Sequence, residues 1–557
     1  MAEIDGVVNI LNLYEEITVT RTEEKIVFFS LYGKEYGCWY PDIEQDTSNP
    51  FILVKNEEQY DYPHILPTSI PIDQSKAGKY RYICLYETDN TIKFLQTTAE
   101  KVRDVIERLI ALLSLPDIEK ERKFQKEFLF YWNYMAENST AIQLYIEQTE
   151  SFQRMNAYQN SRGKIRFVSN GIKLSDADKK SDGKKNWNHL TQLPVFYIPI
   201  TDKRRILPPT YSKDWTIKDI LEIIKGKEYP RIAHASYLKL DQERIKTDKV
   251  GLVFEMIVDE NHINFAMIVK LKNTRNDTVL NKLEKGTVEI QIIKSKRVDY
   301  YHMCRQIGND TSLLNKKILL IGAGSLGSYT AKALVKSGIK EITIYDQDTL
   351  EDENIFRHTS ESFWTSHKKV YALEYDLENI HPEIHVHAVP SNINDDSIMK
   401  EFEKVDMIIF TVGSSDVQLH LNKLLKQSHC EKTVIYTWLE AGGTDSHILA
   451  VDYRKRGCYQ CLFTNEYGES INNKVNQISD RALDRYKIRN GCGATRVAYG
   501  NAILLRTVSV LLSTVQMAFD GKMSQNTLIN ITPTDVTNTG NKFAEGKCLC
   551  CGNENHE

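Results

Sequence analysis

Lys317-Ile318-Leu319-Leu320-Ile321-Gly322-Ala323-Gly324-Ser325-Leu326-Gly327 decides the fold of the C-terminal half. Residues 318–321 form an unbroken apolar run, the pattern of a buried strand. Gly322, Gly324 and Gly327 then make a G-x-G-x-x-G turn that opens a helix predicted to run through Leu334. Such a turn lets backbone N–H groups approach phosphates at the positive end of a helix. A second strand at 342–345 ends at Asp346, where an acid can bond a ribose hydroxyl. Asp348, Asn354, Arg357 and Lys369 follow within a few dozen residues. A site that opens a triphosphate needs this set: Arg357 and Lys369 supply charge and Asn354 an amide, while Asp348 holds a metal or orients the others.

The glycines are shared by every dinucleotide-binding Rossmann domain, and the polar sequel is what discriminates. G-x-G-x-x-G, D-x-D, N-x-x-R and a downstream lysine resemble the adenylation domain of ubiquitin-activating enzymes and of the bacterial enzymes that adenylate sulfur-carrier proteins. The resemblance covers roughly 300–551. It implies ATP and magnesium as ligands and a homodimer as the assembly.

At 557 residues the chain exceeds one core, so two to four domains are expected. Charged residues make up 26% and the net charge is −4, which gives no basic field for nucleic acid. Lys179, Lys180, Lys184 and Lys185 sit in a Ser/Asp/Gly-rich stretch and read as a solvated loop. No apolar run reaches the length of a membrane span, and the acidic start lacks a signal-peptide pattern. A cytoplasmic protein follows, whose ten cysteines are reduced: ligands, nucleophiles or core fillers.

The chain is read as α/β, with an α+β unit at 1–145, a β-rich middle segment at 146–299 and the Rossmann-like adenylation domain at 300–557. In the first, 17–20, 25–31 and 80–86 are strand-like. Val102, Val105, Ile106, Leu109, Ile110 and Leu113 line one face of a helix at 99–113, which Ser114-Leu115-Pro116 stops. One further helix is predicted over 119–135. In the middle segment strands are predicted at 195–200, 250–258 and 265–269, with loops at 186–188 and 202–209.

Cys458-Tyr459-Gln460-Cys461 and Cys548-Leu549-Cys550-Cys551 supply two C-x-x-C pairs, the spacing of a tetrahedral zinc site. Cys458, Cys461, Cys548 and Cys551 are the predicted ligands, with Cys550 as the rival to Cys548. Cys492 sits between Gly491 and Gly493. The glycine flanks imply an exposed, mobile loop that suits a nucleophile attacking an acyl-adenylate; the other readings are a loop cysteine without a role or a zinc ligand. Cys84, in Arg81-Tyr82-Ile83-Cys84-Leu85, reads either as a thiol buried in an apolar strand or as a nucleophile. With Pro63-His64-Ile65 upstream and an amphipathic helix downstream, it resembles the active-site region of ubiquitin-conjugating enzymes, in which His64 takes the polar position. Cys38, Cys304 and Cys430 are read as structural.

A conjugating-like region ahead of an activating domain resembles the ubiquitin-ligase-like fusion proteins of CBASS anti-phage operons. The details are Arg357-His358 after Asn354, Trp438-x-Glu440 with His447, and Gly491-Cys492-Gly493. The resemblance implies a protein partner with a reactive C-terminal tail, either a cGAS-like nucleotidyltransferase or a ubiquitin-like protein. The acyl group passes from adenylate to Cys492, to Cys84 and to a target lysine. It also implies that Arg305, in a short helix at 300–305, reaches a partner protomer's phosphates; a surface arginine is the alternative. Magnesium-binding relatives carry an acid near Gly413, where this chain offers Asp416. Trp438, Glu440 and His447 read either as the lining of a tail channel or as core. Conjugation with a true modifier outside CBASS, adenylation of a sulfur carrier, and a non-catalytic nucleotide-sensing scaffold are the alternatives. Neither nucleic acid nor membrane is expected as a partner.

Overall fold

The computed structural model describes residues 2–23, 25–40, 49–55, 62–65, 80–86, 96–136, 141–147, 151–175, 180–181, 184–200, 206–209, 215–225, 230–272, 275–309, 311–475, 485–489 and 495–552. Two compact units emerge: Met1–Asn170 with His189–Arg297, and Gly171–Asn188 with Val298–Glu557.

The first unit begins with the helix Ala2–Leu11 and an antiparallel meander of Ile17–Glu23, Ile26–Leu31, Lys34–Trp39, Phe51–Lys55 and Tyr80–Ile83. Tyr32 and Gly33, with φ of 50° and 77°, join two of these strands; two consecutive positive φ values match the strand twist. Val27, Phe29, Leu31, Cys38 and Ile52 bury against Val102, Val105, Ile106 and Leu109 of the helix Thr98–Leu113. That helix starts at a Thr97–Glu100 capping box, and its apolar face is the one the sequence predicts.

The single helix predicted over 119–135 is instead two, Asp117–Lys126 and Phe128–Met135, parted at Glu127. The first buries no residue, whereas the second drives Phe128, Tyr131 and Trp132 inward, so the chain must turn between them.

A nine-stranded sheet follows in the order Thr287–Ile293, Asn261–Leu271, Lys249–Val258, Val195–Ile200, Gln153–Asn160, Ile165–Ser169, Ile142–Tyr145, Ser295–Arg297. Its ninth strand, Trp187–His189, pairs with Gln153–Asn160 where the sequence reading has a loop. The basic stretch read as a solvated loop pairs Lys180–Ser181 with Lys184–Lys185 as a short ladder. The sheet takes in Ile142–Tyr145 from the N-terminal segment, and one compact unit holds that segment together with most of the middle one. Of the predicted loop at 202–209, residues 206–209 have no regular structure and 201–205 lie outside the described residues.

The second unit is built on an eight-stranded sheet. Its order is His385–Val389, Glu341–Tyr345, Lys317–Ile321, Met407–Phe410, Thr433–Leu439, Ser446–Val451, Thr527–Ile531, Val536–Gly540. The first five strands are parallel and the last three antiparallel. Ile318 and Leu320 enter one core and Leu319 and Ile321 the other, which explains the unbroken apolar run. The chain leaves Lys317–Ile321 for neighbours on both sides, so a crevice opens at the carboxyl ends of the central strands.

The helix Ser325–Ser337 runs one turn beyond its predicted end. One correction concerns apolar length. The helix Asn501–Phe519 is long and apolar enough to cross a membrane, although no continuous apolar run announces it. Ser, Thr and Arg interrupt its sequence, and Ile503, Leu504, Thr507, Val508, Leu511, Thr514 and Val515 form a buried face.

Candidate functional site

A cleft of about 850 Å³ occupies the crevice of the second unit. Its floor is the turn after Lys317–Ile321. Gly322 has φ of 105°, and a Cβ there would lie 2.9 Å from Thr411 Oγ1; a Cβ at Gly327 would lie 2.0 Å from Gly322 O. A Cβ on Gly324 would meet nothing, and no side chain caps the helix there. The three glycines thus divide their work: two allow close packing and one leaves a helix N-terminus open to the cleft. Ser325 Oγ, buried at this terminus, has no hydrogen-bond partner among the described residues. A donor with no protein partner beside open N–H groups fits an anion such as phosphate.

Asp346 accepts Ala323 N–H on Oδ2 and Asp348 N–H on Oδ1, both at 2.7 Å. It therefore shapes the phosphate turn as well as facing the cleft. Lys369 Nζ reaches Asp348 Oδ2 at 2.8 Å from a nearly buried side chain, and both line the cleft. Arg357 also lines it; one Nη donates to Tyr499 Oη at 3.3 Å, and its Nε has no partner among the described residues. Asn354 Oδ1 accepts Glu351 N–H at 3.3 Å, bracing the turn that carries Arg357.

His358 has a role the sequence reading missed. Its Nε2 is 2.9 Å from Ala323 O, and its Nδ1 accepts Ser360 N–H at 3.0 Å. The ring is thereby fixed as the neutral Nε2–H form under the phosphate turn. Burial, then the charges of Lys369 and Arg357, push it down to about 4.

Ser414 caps the helix Ser415–Gln427, and Asp416 falls in its exposed first turn, off the cleft lining that includes Ser414, Ser415 and Gln418. Arg305 lies exposed on the helix Tyr300–Gln306 with its guanidinium 6.0 Å from the Tyr301 ring centre, also off the lining. Cys492 lies outside the described residues.

The opposite wall carries Trp438, Glu440 and Tyr459. Trp438 Nε1 donates to Glu440 Oε1 at 2.9 Å, and His447 Nε2 is 3.6 Å from the same oxygen. Burial raises the Glu440 carboxyl above its ordinary value and lowers His447 below its own. Trp438 and Glu440 line the cleft, whereas His447 stands behind them, its Nδ1 2.8 Å from Asn530 Oδ1.

Cys458, Cys461, Cys548 and Cys551 converge with all four sulfurs within 4.8 Å of one another. The contacts are 3.9 Å for Cys458–Cys548 and 3.5 Å for Cys461–Cys551. A tetrahedron with Zn–S bonds of ~2.3 Å has edges of about 3.8 Å, so the four thiols fit zinc. Hydrogen bonds from Cys458 and its neighbours push Cys548 toward the thiolate. Cys550 stands beside this cluster, its sulfur 3.3 Å from the Asn422 amide, which also reaches Cys458 Sγ at 3.6 Å.

In the first unit Cys84 is exposed, one residue past the edge strand Tyr80–Ile83. Its N–H donates to His64 O at 2.7 Å, and Ile65 bridges Ile83. The structure thus brings together the two residues the sequence reading paired. The remaining cysteines Cys38, Cys304 and Cys430 are buried.

Residues 303–549 match the ThiF family. The chain is 24% identical over 564 residues to the ATP-dependent ubiquitin transferase-like protein Cap2 of Escherichia coli (strain TW11681), with 90% of each covered. It is 29% identical over 161 residues to the adenylyltransferase and sulfurtransferase UBA4 of Debaryomyces hansenii, with 28% of this chain and 34% of that one covered. Among solved structures, E. coli MccB with ATP aligns at 19% identity and a TM-score of 0.34, covering 43% of this chain and 68% of that one. The resemblance to the CBASS fusion proteins drawn from the motifs holds along nine-tenths of the chain.

Proposed function

We propose that this chain activates the C-terminal carboxylate of a protein partner with ATP and passes the acyl group through two cysteines to a lysine. The observation that carries the reading is the open, uncapped N-terminus of the helix Ser325–Ser337, with Arg357 and Lys369 on the same cleft. The tail carboxylate attacks the α-phosphorus, and the bond to pyrophosphate breaks. Helix N–H groups, Arg357 and Lys369 neutralise the developing charge. Magnesium, when bound with the triphosphate, would neutralise phosphate charge, and Asp348 is the carboxylate that would hold it. Trp438 and Glu440 wall the side of the cleft by which an incoming tail would enter.

The Cys492 thiolate then attacks the acyl carbon and releases AMP. Cys84 takes the acyl group by thioester exchange, and a lysine amine takes it last as an amide. Support for the second thiol is its exposure and its place beside His64, in a region read as ubiquitin-conjugating-like. The partner is a cGAS-like nucleotidyltransferase, as CBASS resemblance implies; a ubiquitin-like modifier would use the same chemistry. The working assembly is a cytoplasmic homodimer, in which Arg305 serves the partner's site.

A thioester trap tests this reading. The protein is incubated with ATP, magnesium and the product of a neighbouring operon gene, and intact mass is read with and without reductant. A reductant-sensitive adduct lost in Cys492→Ala, and held on Cys492 in Cys84→Ala, is the expected result. Adenylate without any thioester overturns the relay and favours activation of a sulfur carrier, the reading under which the first unit only docks.

A further inference from the structure

Beside Cys84 lies an acid–imidazole pair with one ring nitrogen to spare. His64 N–H donates to Glu127 Oε2 at 3.2 Å, and the same carboxylate holds His64 Nδ1. The His64 carbonyl takes the Cys84 N–H at 2.7 Å, so the imidazole belongs to the residue that pairs with Cys84 through the backbone, while the Cys84 sulfur lies 3.4 Å from Tyr86 O. His64 has φ of 73°, a backbone conformation that non-glycine residues adopt only where their surroundings enforce it.

Glu127 is equally well fixed. It marks the break between Asp117–Lys126 and Phe128–Met135, and its C=O accepts Phe130 N–H at 2.9 Å. The next residue, Phe128, is fully buried against Phe265 with ring centres 4.6 Å apart. A helix break that sequence periodicity did not reveal therefore has a purpose: it aims a carboxylate.

An imidazole bonded to a carboxylate through Nδ1 carries its proton there, which leaves Nε2 as a lone pair. Among the described residues nothing bonds to His64 Nε2, and the two side chains are 26% and 25% exposed. We propose that Glu127 is a positioning residue that holds His64 as the base for the amine discharging the Cys84 thioester. This rests on the reading of Cys84 as an acyl carrier.

The atoms balance without another reactant. The lysine ammonium gives one proton to His64 Nε2 and its nitrogen attacks the acyl carbon. The C–N bond forms, the C–S bond breaks, and Cys84 leaves as thiolate. The imidazolium returns its proton to Sγ, and the second nitrogen proton goes to solvent. Glu127 stays ionised and stabilises the transient imidazolium.

The test uses the full chain carrying Cys492→Ala, so that exchange with a short glycine-terminated peptide thioester loads Cys84. Discharge is followed by intact mass with either lysine or hydroxylamine, which is uncharged at neutral pH and needs no base to become a nucleophile. Glu127→Gln is expected to slow discharge to lysine about tenfold or more, to leave discharge to hydroxylamine unchanged, and to melt at the parent temperature. Glu127→Asp recovers part of the loss. An unchanged lysine rate overturns the proposal. So does equal slowing with both nucleophiles, which would make the pair a strut for the loop. Failure of the ATP-dependent trap to place any acyl group on Cys84 would sink the relay separately, because chemical loading bypasses that step.

Discussion

His358 is neutral because burial and the charges of Lys369 and Arg357 disfavour its imidazolium, while its nitrogens are bonded to Ala323 O and Ser360 N–H. Its pKa near 4 lies below that of the unfolded residue, so the unfolded chain binds the extra proton between about pH 6.5 and 4. The stability this ring contributes is present above pH 6.5 and is lost as pH falls. Urea melts of the wild type should lose about 2 kcal/mol more between pH 7 and pH 5 than melts of His358→Asn. For the cations, Lys369→Ala should cut ATP–pyrophosphate exchange about a hundredfold with little change in melting temperature. Arg357 and Lys369 were legible in the sequence because charge at motif spacing carries its chemistry with it. The work of His358 was not, since its partner Ala323 lies far back in the chain and the sequence offers only a histidine next to an arginine.

Two glycines of one turn separate packing from binding. Gly327→Ala should destabilise the second unit by about 3 kcal/mol, because its Cβ would collide with Gly322 O. Gly324→Ala should melt as wild type yet bind nucleotide about tenfold more weakly, a loss of ~1.4 kcal/mol read by titration. Equal melting of the two variants would contradict this division. Periodicity revealed the helix Thr98–Leu113 because its apolar face and its stop signals are local. It missed the break at Glu127 because Phe128 and Trp132 turn toward Phe265, a partner supplied by a distant strand. It missed the strand Trp187–His189 for the same reason.

The parallel part of the second unit's sheet was legible from one strand–turn–helix, because the crossover rule and the buried apolar strands leave few other arrangements; its three antiparallel strands were not. The nine-stranded sheet was not, because its neighbours come from widely separated segments whose pairing no local pattern announces. The sulfur cluster was legible from spacing alone. Native mass spectrometry should find one zinc per chain in the wild type and in Cys550→Ser, and none in Cys458→Ser or Cys548→Ser. Retention of zinc by either of the last two would reassign the ligands.

Tyr459 sits between the first two of these sulfurs and also walls the cleft, with its ring 6.1 Å from Trp438 and 4.4 Å from Tyr436. Asn422 ties its N–H, at 3.0 Å, to the same amide that reaches Cys458. A ribosome delivers Cys548 and Cys551 after every residue that lines the cleft. A nascent chain that already carries its complete nucleotide motif therefore still lacks two of the four sulfurs that gather beside this wall.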